Sequence, residues 1–205
     1  MEYNSETEQK IFDAAREIFI QQGHDGARME EIARKAGINK ALLHYYFRSK
    51  DKLYQVVFTR EARNLLNDMI GSINLNLEIK DLLHSFIQRY IDRLYENPLV
   101  VRFFLWEIRK GGQHIKEMLQ PLLKKEGGPA PRQLVKKFEQ AIASGEIRRL
   151  DPHHLVFSLI SMCIYTFIAE PVIEVLFPEI NIRGRSFIDK RKEEVYHLIW
   201  DGIKS

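Results

Sequence analysis

The chain has 205 residues, 45% hydrophobic and 29% charged, enough to bury roughly 70% of its unfolded surface, which excludes a wholly disordered class. Its 31 lysines and arginines against 28 acids leave a net charge of +3, which excludes a uniformly basic coat. The single cysteine, Cys163, excludes an intrachain disulfide and any CxxC metal or redox pair, and fits a reducing compartment.

The polar, acidic start from Met1 to Lys10 has no basic segment followed by an apolar run, so no signal peptide is expected. Helical periodicity dominates from there on, with no alternating strand pattern. Ile11, Ala15, Ile18 and Phe19 mark the first helix, closed by Gln21, Gln22 and Gly23. Met29, Ile32, Ala33 and Ala36 mark a short second helix ending at Gly37. Asn39 is a good N-cap for a third, running to about Phe47, and Ser49 for a fourth, from Lys50 to about Ile70. Leu82, Leu83, Phe86, Ile87, Tyr90, Ile91 and Leu94 form a regular stripe on the next helix. Asn97-Pro98 ends that helix and opens another, because proline is tolerated in a first turn. Gly111-Gly112 separates the following helix, and Gly127 to Pro131 reads as a loop. Asp151-Pro152 opens an apolar helix over 153–170, stopped by Pro171, and a last helix spans about Ser186 to Ile203. The apolar stretch Leu155 to Ala169 is 15 residues long, against about 20 for a membrane span. The expectation is an all-α, cytoplasmic protein of about nine or ten helices with no membrane partner.

Charge is concentrated. Residues 1–31 carry 3 basic and 8 acidic groups, whereas 32–52 carry 6 basic groups against Asp51 alone. Within that basic segment, only Gly37, Ile38 and Asn39 join the second and third helices, which is a helix-turn-helix spacing. Leu43 and Phe47 can bury together, leaving Lys40, Ala41, His44, Tyr45 and Arg48 on the other face. Such a face suits entry into the major groove by the helix N-terminus, where small residues permit close approach. The N-terminus of the fourth helix, at Ser49-Lys50, suits a phosphate. The same pattern also suits an ordinary helical hairpin with solvated lysines.

Residues 8–53 resemble the DNA-binding domain of the tetracycline-repressor (TetR) family of transcriptional regulators. The resemblance rests on Ile11 to Ala15, Phe19, Gly23 to Asp25, Ile32 to Ile38, Lys40, Tyr45 to Phe47 and Ser49 to Leu53. It implies that Lys40, Ala41 and Leu42 sit at base edges, and that Arg28, His44, Tyr45, Tyr46 and Lys50 hold the phosphate backbone. Two departures matter. Ala27-Arg28 stands where the family has a Ser or Thr cap, and Leu42 cannot donate a hydrogen bond, so its part at a base would be apolar contact with a thymine methyl.

The resemblance divides the chain into a DNA-binding domain, 1–49, and a helical effector-binding and dimerisation domain, 50–205. It implies a repressor that binds a palindromic duplex operator as a homodimer and is released by a small hydrophobic effector. The helix over 155–169 and the last helix are the expected dimer pair. Phe86, Tyr90, Phe103, Phe104, Glu107 and Tyr165 are the expected effector pocket. Glu107 shares an apolar stripe with Val100, Phe103 and Phe104. It would take a rim position, pair with an arginine such as Arg102 or Arg109, or hold a lipophilic cation. The histidines show no ligand spacing, so no metal is expected, nor a cofactor. Ser158, Ser161 and Cys163 have no histidine base nearby, so no catalytic role is expected. The competing class is a helical-bundle enzyme or small-molecule binding protein that keeps a vestigial helix-turn-helix.

Overall fold

The computed structural model describes residues 6–71, 73–120 and 130–205, apart from the side chains of residues 65, 66, 68–71, 98, 99, 102, 103, 118 and 130. Eleven helices lie among the described residues: α1 (Glu6–Gly26), α2 (Met29–Lys35), α3 (Lys40–Tyr46), α4 (Lys50–Gly71), α5 (Ile79–Glu96), α6 (Pro98–Arg109), α7 (Gln113–Leu119), α8 (Ala130–Ser144), α9 (Pro152–Ile168), α10 (Glu170–Leu176) and α11 (Arg185–Ile203). No single described helix is long and apolar enough to cross a membrane. The eleventh element, beyond the nine or ten expected, is α10. Pro171 ends α9 as anticipated but occupies the first turn of a new helix, where its missing N–H costs nothing. Proline acts the same way near 130. Gly127 to Pro129 lie outside the described residues, and Ala130 and Pro131 open α8 rather than extend a loop.

Two compact units emerge. The first comprises Met1–Asn64 with Arg102–Met118, and the second Leu65–Val101 with Leu119–Ser205. In the first, Ile11, Ala15, Ile18 and Phe19 of α1 are buried, with Ile32 and Ala33 of α2, Leu43 of α3 and Leu53, Val57 and Phe58 of α4. Each large side chain so buried contributes about 1.5–3 kcal/mol. Polar ties around this core join α1 to α4: Arg16 pairs with Glu61 at 3.0 Å, and the Arg60 guanidinium lies 4.4 Å from the Phe12 ring centroid.

The second unit is built on α5, whose whole expected stripe is buried and which packs against α8, α9 and α11. Asp151 caps α9 by accepting from the amides of His153 and His154. Lys192 of α11, 2% exposed, is neutralised by Asp92 of α5 at 2.5 Å and by Asp189 at 3.2 Å. A buried ammonium without such partners would be strongly destabilising. The chain's end is stitched back by a bridge between Ile147 and Lys204, with Arg148 N donating to Ile203 O at 2.8 Å.

Candidate nucleic-acid interface

The turn between α2 and α3 is set by backbone hydrogen bonds. Gly37 N donates to Arg34 O at 3.2 Å and Ile38 N to Ala33 O at 3.0 Å, the paired bonds of a Schellman motif. That motif requires a left-handed residue, and Gly37 has φ 70°. Two residues later the Asn39 side chain accepts from Leu42 N at 2.8 Å and starts α3. The segment Gly37 to Asn39 therefore stops one helix and starts the next within three residues.

α3 then presents two faces. Leu43 and Phe47 are buried, whereas Lys40, Ala41, His44, Tyr45 and Arg48 are exposed and Leu42 is half-buried. Tyr45 is 78% exposed and meets the half-buried Tyr46 edge-to-face. Arg28, exposed at the N-cap of α2, makes no side-chain cap hydrogen bond, as its departure from Ser or Thr implies. Ser49 Oγ accepts from Lys52 N at 3.2 Å at the start of α4.

Part of the basic segment is internally engaged, which spacing along the chain does not reveal. The Lys40 ammonium pairs with Glu30 of α2, and that of Lys35 with Glu17 of α1. Lys50 Nζ donates to Ala27 O at 3.2 Å, tying the α4 N-terminus to the linker before α2.

Behind this surface, still within the first unit, lies an aromatic and carboxylate cluster. Gly23, with φ 69° and ψ 179°, breaks the α1 helix. Beyond it, His24 reaches Asp51 of α4 at 2.6 Å and Asp25 at 3.0 Å. The hydrogen bond from His24, and then the Lys110 charge, hold the Asp25 carboxyl below its usual range. The Trp106 ring of α6 lies 5.0 Å from His24, 4.8 Å from Tyr54 and 3.9 Å from the Lys110 ammonium. Glu107, 1% exposed, lies 2.9 Å from His114 Nδ1 of α7, and His114 Nε2 lies 2.7 Å from the Gln55 amide of α4. Burial first, and then the Glu107 carboxylate, push the Tyr54 phenol well above its usual range. Glu107 is thus buried rather than at a rim, and His114 and Tyr54 face it. Arg109 is exposed, and the side chain of Arg102 lies outside the described residues. A histidine one turn beyond a glycine pair was not identifiable as a partner without the α6–α7 turn.

The residues expected to line a pocket are divided between the units. Phe104 and Glu107 belong to the first, where the Phe104 ring packs 5.6 Å from that of Phe58. Phe86 and Tyr90 are buried together in the second, 5.4 Å apart, whereas Tyr165 there is 60% exposed. The side chain of Phe103 lies outside the described residues. Around α9 the exposed residues Phe157, Ser161 and Tyr165, at i, i+4 and i+8, make an outward stripe, and Leu198 of α11 is exposed as well.

Residues 11–57 match the family described as bacterial regulatory proteins, tetR family, and residues 62–205 match the YcdC-like protein C-terminal region. The regulator RutR of Escherichia coli is 27% identical over 198 residues, covering 95% of this chain and 89% of its own. The fold is similar to that of SCO4942 from Streptomyces coelicolor, with a TM-score of 0.69 and 20% identity over 96% and 98% of the two chains. It is also similar to that of FadR from Bacillus subtilis in complex with stearoyl-CoA, with a TM-score of 0.67 and 19% identity over 95% and 98%.

Proposed function

The chain belongs to the tetR family of bacterial regulatory proteins and is a DNA-binding transcriptional regulator, and from that premise we propose a ligand-released repressor acting as a cytoplasmic homodimer on a palindromic operator. The observation that carries the reading is the α3 face. A Schellman turn and an asparagine cap present Lys40, Ala41 and Leu42 at the free end of a helix anchored by Leu43 and Phe47. In the proposed division, 1–49 reads DNA and 50–205 receives the effector and dimerises. Lys40, Ala41 and Leu42 face base edges, and Arg28, His44, Tyr45, Tyr46 and Lys50 grip phosphates.

One such module reads only a few base pairs, so two act together about 34 Å apart. The exposed stripe of α9 and Leu198 of α11 supply the surface for that pairing. Ligand responsiveness is supported by the stearoyl-CoA complex of the similarly folded FadR. The effector is a small hydrophobic molecule, and within the second unit the paired rings of Phe86 and Tyr90 are the aromatic surface that suits it. Glu107 is occupied by His114 and Tyr54, and a cationic effector would reach it only by displacing His114. The role its geometry supports is a tie from α6 to α4 and α7. A shift of α6 on effector binding would pass through that tie to α4, whose first turn abuts the reading module. Operator and effector must then weaken each other reciprocally.

The test is selection of random duplex DNA by the purified protein, followed by salt titration. The expected result is an enriched palindrome, with affinity falling steeply with salt and lowered about tenfold in Lys50→Ala. Retention without any enriched sequence would overturn the reading in favour of a structural hairpin.

A further inference from the structure

We propose that Glu30 is a specificity-determining residue that holds the Lys40 ammonium toward base edges and away from the phosphate backbone. The inference rests on the assignment of Lys40 to DNA reading. Glu30 lies in the first turn of α2, and its side chain makes an ion pair with Lys40, the first residue of α3. The Lys40 hydrogen bond, and then the backbone N–H of Glu30 itself, hold the Glu30 carboxyl below its usual range, so the charge is present throughout neutral pH. Both members of the pair are exposed, and the ion pair places the Glu30 carboxylate at the first residue of the reading helix. The amide of Glu30 engages it, and the positive end of the α2 dipole favours its charge. It sits beside the reading helix as a negative point.

That point acts differently on two kinds of DNA. An ammonium has three donors. On a matching operator, Lys40 can leave one on Glu30 and give two to an acceptor pair such as guanine O6 and N7. Glu30 then orients the ammonium. On unmatched DNA the available acceptors are phosphate oxygens. To reach them Lys40 must leave one anion for another, while the Glu30 carboxylate is brought near a phosphate of like charge. Neutralising one phosphate by lysine would otherwise steepen the salt dependence by about 0.9 in log–log slope. Glu30 withholds that contribution from non-operator DNA, where a free lysine would contribute as much as at the operator.

The experiment uses the full chain with two probes, the duplex most enriched by random selection and a shuffled duplex of equal length. Affinities are measured across a salt series for the wild type, Glu30→Gln, Lys40→Met and the double variant. Glu30→Gln is expected to tighten the shuffled duplex about tenfold and steepen its salt slope by about 1.8, about 0.9 from each of the two reading modules. The enriched duplex should stay within about threefold. In the Lys40→Met background the same substitution should leave the preference between duplexes unchanged, with only a small equal tightening of both from the lost charge. Equal tightening of both duplexes by Glu30→Gln alone, or an undiminished effect in the Lys40→Met background, would show that Glu30 acts only as diffuse negative charge and overturn the proposal. Failure of the wild type to enrich any duplex would overturn the DNA-reading assignment and this inference with it.

Discussion

Asn39 decides where the reading helix begins, because its side chain accepts the Leu42 amide that would otherwise be an orphan donor. Asn39→Ala is expected to lower stability by about 1 kcal/mol, read as a shift of the urea midpoint. Leu42 tests base reading without charge. Leu42→Ala should relax preference at a single base pair in repeated selection while leaving the salt slope unchanged, since no phosphate contact is lost. Cys163, buried in α9, has its thiol pushed up to about 12 by burial. Its reactive thiolate is suppressed at neutral pH, so alkylation by iodoacetamide at pH 8 should be slow in the native protein and fast in urea. The sign of the pH effect follows from the same shift. A thiol held protonated in the fold stabilises it below the ordinary value near 9.0, and that contribution is lost as pH rises from there toward 12.

At the scale of elements, the helix-turn-helix was legible because every signal for it is local. Gly37, Asn39 and Ser49 act on backbone groups within five residues of themselves. The α5 stripe and the Asp151-Pro152 start of α9 were legible for the same reason. The tie behind the reading module was not. Glu107 announced itself as a carboxylate on an apolar stripe, but His114 and Tyr54, which face it, lie on other helices and far from it in the chain or beyond a turn. Lys40 was legible as an exposed base, and its pairing with Glu30 was not, because that pairing depends on the angle at which the turn sets α3 against α2. The tie carries its own prediction. His114→Ala removes a partner from a buried carboxylate, which costs about 1–3 kcal/mol. It should lower the thermal midpoint and weaken the effector's power to release DNA, measured as the ratio of operator affinities with and without effector. Glu107→Gln with His114→Ala should cost less than the sum of the two single changes.

For the whole molecule, the proposed function depends on a second copy. Phe157 is 65% exposed and Tyr165 60% on one face of α9, large apolar side chains of the kind that anchor interfaces. Replacing both with lysine should yield a species of monomer mass in sedimentation. Its operator affinity should fall at least about thirtyfold, the equivalent of one anchor worth about 2 kcal/mol. The reading modules would remain folded, since none of their buried residues is touched.

The chain has two tryptophans, one in each compact unit. Trp106 is pressed against His24, Tyr54 and the Lys110 ammonium, beside the carboxylate that joins α4, α6 and α7. With Trp200→Phe, the indole emission of the protein would come from that joint alone. Its brightness depends on how closely the imidazole and ammonium quench it, so any movement of α6 against α4 would change the light emitted. The protein thus contains its own optical gauge, able to test the proposed effector response without a label and without DNA.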